Sequence, residues 1–173
     1  MKIITESERL IIREIVSTDI DVMLELHSDP TVHRYLGNKT ITSRDKMMKA
    51  IDSLKEQYKN YGVGRWAMID KDTNEFIGWT GLEYVTKEIN KHTNFYDLGY
   101  RLLSRYWGCG FASESAFASV AYAFDKLKLR EIYAMADIEN KASNKILNKV
   151  GLQFIETFNQ EGVKHNWYKL EKK

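Results

Sequence analysis

The stretch Arg105-Tyr106-Trp107-Gly108-Cys109-Gly110 joins a predicted strand, residues 96–103, to the start of a long predicted helix. Two glycines separated by one residue leave the backbone amides open to a ligand, because no β-carbon blocks the approach. Free amides at a helix start bind anions, and the helix dipole favours the same charge. The stretch therefore predicts a cradle for a phosphate group, although a glycine pair in a loop is more often simple turn chemistry.

Two familiar nucleotide-binding motifs fit this stretch less well. A dinucleotide-binding loop needs a third glycine or an alanine where Ser113 stands, and a P-loop needs a Gly-Lys-Ser/Thr sequence that is absent here. A dinucleotide-binding protein stays as an alternative, with Asp137 or Glu139 touching a ribose. The front half of the chain lacks the alternating strand and helix units that this alternative requires.

Strands and helices are predicted on both sides of the glycine loop. Alternation and turn residues predict about seven strands, over residues 10–13, 65–69, 76–85, 96–103, 131–138, 153–158 and 164–170. About four helices are predicted: from a cap at Thr18 to Leu26, from Ser43 to the glycines at 62 and 64, after residue 110, and over residues 141–149. The apolar side of the third helix is predicted to comprise Phe117, Val120, Ala121, Phe124 and Leu127.

The order of these elements indicates a fold class. Strands come first and then alternate with helices, which predicts a mixed sheet in an α/β or α+β domain. With 173 residues, the chain has the usual size of one domain, so we expect residues 1–173 to form a single domain.

Charge and hydropathy argue against two classes of partner. The formal net charge of +2 is spread along the chain without the basic run that binds a phosphate backbone, so we expect no nucleic acid. No stretch approaches the roughly 20 apolar residues that cross a bilayer, so we expect no membrane partner. The first residues turn polar at once, unlike a secretory signal, and a cytoplasmic location is expected.

The cysteine and histidine content argues against a metal centre. Cys109 is the only cysteine, so neither an intrachain disulfide nor a Cys/His zinc cage can form. The histidines show no spacing typical of metal ligands, and we expect them at the surface or in loops: His27, His33, His92 and His165. No metal is predicted.

The motifs resemble those of a known superfamily. The pattern Arg-x-x-Gly-x-Gly at residues 105–110, a strand ending near Asn140 and a short helix closing at Gly151-Leu152 resemble the GCN5-related N-acetyltransferase (GNAT) superfamily. Several segments resemble one branch of this superfamily in particular, the branch that contains the ribosomal-protein N-terminal acetyltransferases RimJ and RimL. These segments are residues 8–13, 28–30, 98–100, 106–114, 140–143 and 151–152. The resemblance covers nearly all of the chain.

The resemblance implies a fold and a coenzyme site. A GNAT fold has a mixed, mostly antiparallel, twisted sheet with a splayed pair of central parallel strands, here 96–103 and 131–138. The pantetheine arm of acetyl-CoA would enter the gap and bind main-chain groups near Leu102 and Leu103, with Asn140 on the other side. The pyrophosphate would bind the loop and helix start, at Arg105, Gly108, Cys109, Gly110, Phe111, Ala112 and Ser113.

The resemblance also implies acetyl transfer to a primary amine, by direct attack in a ternary complex. A protonated amine is unreactive, so a base is needed, and Glu83 stands at the family's common base position. Many members use a tyrosine as general acid, but Leu147 stands there; the RimJ/RimL-like branch offers Ser143, which could equally cap the following helix. Glu161 is a further candidate carboxylate, also explained by turn chemistry. The absent tyrosine keeps open a non-catalytic acyl-CoA sensor.

The acceptor and the oligomeric state are less defined. Members of this branch acetylate protein N-termini or small amines, and the segments implied to choose between them are residues 31–59 and 158–164. Both contain charges of both signs, so charge does not select an acceptor. Trp167 and Tyr168, expected to be exposed on a terminal strand, indicate a possible homodimer or a peptide cleft.

Overall fold

Eight strands and four α-helices make up the chain in the computed structural model, which describes residues 1–172. The strands are β1 (Ile3–Glu6), β2 (Leu10–Glu14), β3 (Gly64–Asp70), β4 (Phe76–Val85), β5 (Phe95–Leu102), β6 (Glu131–Asp137), β7 (Gln153–Gln160) and β8 (Val163–Glu171). The helices are α1 (Ile20–Ser28), α2 (Arg44–Tyr61), α3 (Phe111–Ala121) and α4 (Lys141–Lys149).

The strands form one sheet in the order β1-β2-β3-β4-β5-β6-β8-β7. All neighbouring strands run antiparallel except β5 and β6, which are parallel. The predicted mixed, mostly antiparallel sheet is therefore confirmed, with eight strands instead of about seven. The additional strand is β1, an edge strand of four residues that is too short to give a clear alternating pattern.

Helix α2 shows how local signals set the helix boundaries. The Ser43 side chain accepts a hydrogen bond from the Lys46 amide and caps the helix start. Gly62 ends the helix in the left-handed conformation, with φ of 70°. Met47 and Ile51, about one turn apart, are fully buried against the sheet. Both predicted ends are confirmed.

Helices cover both faces of the sheet, and each face has its own core. On the α1 face, helices α1 and α2 pack on the sheet around residues such as Ala67 and Trp79. On the α3 face, helices α3 and α4 pack around residues such as Leu98, Leu102 and Leu147. Because successive residues of a strand point to opposite faces, the central strands β3 and β4 contribute side chains to both cores.

The predicted buried side of α3 is confirmed in part, because Val120, Phe124 and Leu127 pack against the core of the α3 face. Phe117 is 46% exposed, while the fully buried positions of the helix include Ser115, Ala116 and Ser119. Small residues let α3 approach the sheet closely, and Ser119 forms a hydrogen bond of 3.1 Å with Thr80 of β4. The helix also continues into a π-helical turn, Tyr122–Lys126, which breaks the helical spacing on which the prediction relied.

The parallel strands β5 and β6 pair at one position only, Asp97 with Tyr133. Both residues lie near the beginnings of their strands, so the strands separate toward their C-terminal ends at Leu102 and Asp137. The expected splayed central pair is confirmed. The gap between β5 and β6 opens on the side where the glycine loop begins.

The aromatic residues of β8 are buried. Trp167 and Tyr168 are only 1% and 2% exposed, because Trp167 packs against Phe95 and Tyr133 below the splay. The expectation that they form an exposed surface is wrong, and with it the argument that they indicated a homodimer. No helix within residues 1–172 combines the length and apolar character needed to cross a membrane.

Candidate active site

The glycine loop holds the start of α3 beside the gap. Gly108 and Gly110 have φ values of 75° and 84°, a conformation that other residues disfavour. Gly110 is the N-cap of α3 and has no side chain to accept from the first-turn amides. A β-carbon added at Gly108 would meet no atom within 4 Å. The loop therefore has the free amides, at Phe111, Ala112 and Ser113, and the open space that a phosphate site requires.

A salt bridge between Arg9 and Glu114 fastens this loop to the sheet. Arg9 of the β1–β2 turn pairs with Glu114 of α3 at 2.7 Å and also donates to the carbonyl oxygen of Cys109 at 3.0 Å. The Ser7 hydroxyl and the Arg9 amide donate to the same carboxylate. Burial raises the pKa of Glu114, but these hydrogen bonds outweigh it and lower the pKa. The carboxylate is thus held away from the free amides of α3.

The remaining loop side chains make contacts of their own or are exposed. Arg105 forms an ion pair with Glu25 of α1. The Cys109 side chain is exposed, as is Trp107, at 48%. The Trp107 indole N–H donates to the carbonyl oxygen of Leu102 at 3.0 Å. This hydrogen bond ties the loop to the end of β5.

The main chain of β5 presents alternate residues to the gap. The Leu103 N–H donates to the Ile77 carbonyl of β4 at 3.0 Å, so it is committed to the sheet. Since neighbouring residues of a strand direct their peptide groups in opposite directions, the N–H and C=O groups of Leu102 and Tyr100 face the gap. Of the two predicted residues, only Leu102 therefore has an amide that is available to a ligand in the gap. The Leu103 amide is already hydrogen-bonded to β4.

Asn140 and Ser143 lie across the gap at the start of α4. Asn140, not Ser143, is the N-cap, because its side-chain oxygen accepts from the Ser143 amide at 3.1 Å. The expectation that Ser143 caps this helix is wrong. Its hydroxyl instead lies 3.0 Å from the hydroxyl of Tyr100, and burial raises the pKa of Tyr100. Leu147, at the family's tyrosine position, is buried in the core.

Glu83 lies on the α1 face, opposite Asp97 in the β4–β5 register. Its side chain is 48% exposed and pairs with Arg65 at 3.2 Å. Arg65 also binds the buried carboxylate of Asp97. Burial raises the pKa of Asp97 to about 6, although Arg65 lowers it. The absence of a side chain at Gly99 makes room for the Arg65 guanidinium, which a β-carbon there would approach to 2.7 Å.

An open cavity of about 340 Å³ reaches Glu83 from the side of α2. Its walls include Leu54, Gln57 and Tyr61 of α2 and Gly64 of β3. The Gln57 side chain both donates to and accepts from the backbone of Tyr84, which fixes α2 against β4. Glu83 is therefore a carboxylate with access to solvent and to a small ligand on the α1 face.

Arg101 of β5 lies further along the same face. Its guanidinium lies over the ring of Trp79, 5.0 Å from the ring centroid, and Arg65 lies over the same ring at 5.2 Å. An Arg101 nitrogen lies 3.1 Å from Nδ1 of His27. Burial and the nearby positive charge of Arg65 lower the pKa of Arg101 to about 10, so the side chain is charged at neutral pH.

The histidines do not all lie where they were expected. His33 lies in the α1–α2 loop, one of the expected positions, but it is only 2% exposed and lies near His27, with ring centroids 5.7 Å apart. The expectation is wrong for His27 and His165, which are half-buried in α1 and β8. Within the part of the chain that the structure describes, no group of three or more His, Cys, Asp and Glu side chains is arranged to hold a metal ion.

Glu161 connects two segments that flank the α1 face. It lies in the β7–β8 turn with φ of 50° and forms an ion pair of 2.6 Å with Lys39 of the α1–α2 loop. Both side chains are exposed, at 60% and 73%. The turn conformation and this ion pair account for Glu161, and they bring together the two segments expected to govern the acceptor.

Several residues around the site were not singled out from the sequence. Arg9 and Glu114 lie in segments that resemble the family, but no role was predicted for either. Their pairing joins residues separated by more than 100 positions. Tyr100 stood within the motif at 98–100, but its contact with Ser143 depends on the packing of α4. Nothing in the sequence pattern indicated that Arg65 and Arg101 would lie on either side of Trp79.

The free helix start beside a splayed pair of parallel strands defines the acetyltransferase class that the resemblance implied. The family model described as acetyltransferase (GNAT) domain matches residues 9–153. This chain therefore belongs to the GNAT family and is an acetyltransferase. The Bacillus subtilis (strain 168) protein called uncharacterized N-acetyltransferase YoaA is 33% identical over 150 residues, covering 87% of this chain and 82% of the relative.

The name of a second relative includes acetyl coenzyme A. The FsC-acetyl coenzyme A-N(2)-transacetylase of Aspergillus fumigatus is 34% identical over 100 residues, which cover 56% of this chain and 42% of that protein.

Two solved structures share the fold over nearly the whole chain. The ribosomal alpha-N-protein acetyltransferase RimL in complex with coenzyme A superposes with a TM-score of 0.83 at 19% identity, over 98% of each chain. A GNAT-family acetyltransferase from Bacillus anthracis superposes with a TM-score of 0.79 at 24% identity, over 99% of this chain and 98% of that one. These two structures confirm the GNAT fold over nearly the whole chain.

Proposed function

We propose that this enzyme transfers the acetyl group of acetyl-CoA to a primary amine by direct attack in a ternary complex. The observation that carries the proposal is the presence of two sets of free main-chain groups, the Leu102 N–H and the Tyr100 peptide groups facing the gap and the amides at the start of α3. The first set suits an extended amide chain such as pantetheine. The second suits its pyrophosphate.

Side chains on the two faces of the sheet would carry out different steps of the reaction. Glu83, on the α1 face, would accept the proton of the incoming amine, directly or through water. The amine attacks the thioester carbon, and the negative charge that develops on the thioester oxygen would be stabilised by a main-chain N–H facing the gap near Leu102. The carbon–sulfur bond then breaks and the electron pair leaves with the coenzyme sulfur.

The leaving thiolate would take a proton from the α3 face. Ser143 is the proposed donor, and the Tyr100 hydroxyl at 3.0 Å is positioned to resupply it. Because burial raises the pKa of Tyr100, its hydroxyl keeps its proton at neutral pH. The pair would therefore supply the function that Leu147 cannot.

A non-catalytic acyl-CoA sensor of the same fold is the alternative for this particular chain, favoured by the leucine at position 147. Both proposals place the protein in the cytoplasm, where acetyl-CoA is the expected ligand. They agree on coenzyme binding and differ on turnover.

Two measurements separate these possibilities. Thermal unfolding should shift upward with acetyl-CoA but not with NAD or ATP, because a ligand of the folded state stabilises it by mass action. Free thiol should then appear when amines are added, tested over N-terminal peptides, polyamines and aminoglycosides. No shift with acetyl-CoA would refute the coenzyme site; a shift without thiol release from any amine would favour the sensor.

A further inference from the structure

Arg101 and Arg65 lie on the same face and against the same tryptophan, but only one of them is neutralised. Arg65 pairs with both Asp97 and Glu83. Among residues 1–172, no aspartate or glutamate forms an ion pair with Arg101. The nearby positive charge of Arg65 lowers its pKa further. Arg101 is therefore a partly buried charge without a counter-charge, which is costly unless a ligand supplies one.

The hydrogen-bond partners of Arg101 are also incomplete. Burial and Arg101 lower the pKa of His27 to about 3, so the ring is neutral and has only one accepting nitrogen. Two donors approach that ring, Arg101 at Nδ1 with 3.1 Å and the Trp79 indole N–H at Nε2 with 3.3 Å. At most one of them can be satisfied by His27. The cluster therefore has more donors than acceptors.

The free N–H groups of Arg101 are accessible to solvent. Within residues 1–172, fully buried side-chain nitrogen and oxygen atoms without a partner occur only in His33 and Trp66. The Arg101 nitrogens that lack a protein partner are thus not sealed in the core. His33, 98% buried beside His27 with both ring nitrogens unpartnered, adds to the unsatisfied polar groups at this point.

We propose that Arg101 binds a carboxylate group of the acceptor, so that this enzyme acetylates amines that carry a carboxylate. A planar guanidinium donates two parallel hydrogen bonds to a carboxylate. One uncompensated positive charge matches one negative charge. Arg101 directly precedes Leu102, whose main chain faces the gap, and it shares the α1 face with Glu83. This inference rests on the proposed acetyl transfer and narrows its acceptor to an amino acid or an acidic peptide N-terminus.

Matched acceptors that differ only in a carboxylate test the proposal. We would compare γ-aminobutyrate with γ-aminobutyramide, and dipeptide amides that begin with serine and continue with aspartate or with asparagine. The wild-type kcat/KM should be at least about tenfold higher for the carboxylate of at least one pair, as for a hydrogen-bonded charge. The first pair represents small amino acids and the second represents peptide N-termini.

Arg101→Gln should bring that ratio close to one, mainly by lowering kcat/KM for the carboxylate. Arg130→Gln is the matched control, because Arg130 is an exposed arginine just before β6, outside the segments implied to choose the acceptor; it should keep the wild-type ratio. If Arg101→Gln fails to fold, Arg101→Lys is the second variant. It keeps the positive charge but cannot donate two parallel hydrogen bonds, so it should give an intermediate ratio of kcat/KM values.

The result that overturns the inference differs from the one that overturns acetyl transfer. Equal kcat/KM within both pairs, or a preference that Arg101→Gln and Arg101→Lys leave unchanged in folded protein, refutes carboxylate binding while turnover stands. Without any turnover, thermal unfolding in the presence of coenzyme A decides the inference. Stronger stabilisation by γ-aminobutyrate than by γ-aminobutyramide, lost in the Arg101 variants, supports it, and equal stabilisation refutes it.

Discussion

The coenzyme side and the acceptor side of the gap are built from different kinds of groups. On the coenzyme side the polar groups are main-chain amides, held by two left-handed glycines and by the Arg9–Glu114 pair. On the acceptor side they are side chains, among them Glu83, Arg65 and Arg101, arranged around Trp79. Main-chain sites tolerate changes in side chains, whereas the acceptor side can change its ligand through single substitutions.

This contrast predicts that side-chain changes on the acceptor side reduce turnover without weakening the binding of the coenzyme. Glu83→Gln removes the proposed base and should lower kcat by about 100-fold or more. The acetyl-CoA dissociation constant should stay within a factor of about two, since Glu83 lies on the opposite face from the first turn of α3. Steady-state thiol release and calorimetric titration measure the two quantities. A kcat within threefold of wild type would remove Glu83 from the mechanism.

The converse holds on the coenzyme side, where only the main chain is used. Gly108→Glu adds a bulky negative charge in the open space over the loop and should weaken acetyl-CoA binding by about 10-fold to 100-fold, measured by calorimetric titration. Gly162→Glu is the matched control, because Gly162 has φ of 84° and equally open space but lies in the β7–β8 turn.

Both glycine variants carry the same backbone strain, so a difference between them isolates the effect of the site. Unchanged affinity in a folded Gly108→Glu protein would mean that the diphosphate does not bind at this loop.

The Arg9–Glu114 pair should contribute to stability more than to chemistry. Glu114 is 17% exposed. It accepts three hydrogen bonds from Ser7 and Arg9 and forms one further ion-pair contact with Arg9. Glu114→Gln should reduce the free energy of unfolding by about 1 to 2 kcal/mol, measured by urea denaturation. Since the loop depends on this pair, coenzyme affinity should fall modestly as well.

The same pair predicts a dependence on pH. The folded state lowers the pKa of Glu114 below its ordinary value, so its stabilisation is complete above the ordinary glutamate pKa and is lost as the pH falls through the lower, folded value. The stability difference between wild type and Glu114→Gln should therefore be constant at neutral pH and shrink as the pH falls below the ordinary glutamate pKa. A difference that stays constant below that pKa would show that the carboxylate charge is not responsible.

The smallest effect is expected at the exposed ion pair between Lys39 and Glu161. Lys39→Ala should leave the urea midpoint unchanged within error, because both side chains are exposed and solvent screens the pair. Kinetics with several amines provide a second readout. A change in KM for the acceptor without a change in stability would indicate that the contact between the α1–α2 loop and the β7–β8 turn shapes the acceptor cleft.

Local sequence signals located the elements because each signal acts over a few residues. Ser43 and Gly62 marked both ends of α2, and the alternating runs located seven of the eight strands to within two residues at each end. The same local reading failed where packing overrode it. Phe117 and Ala121 of α3 are exposed although the apolar spacing predicted them to be buried, and the short strand β1 pairs with β2 without a clear alternating pattern of its own.

The sequence by itself determined the acetyltransferase family and the glycine loop, because the conformation of that loop depends on the glycines and on the helix that follows. Only the tertiary structure decided which charges remain unpaired. Arg65 and Arg101 are equivalent in sequence terms, but the β4–β5 register places Asp97 and Glu83 beside the first and leaves the second without a carboxylate. Side-chain pairing across strands depends on register and packing, which local patterns do not encode.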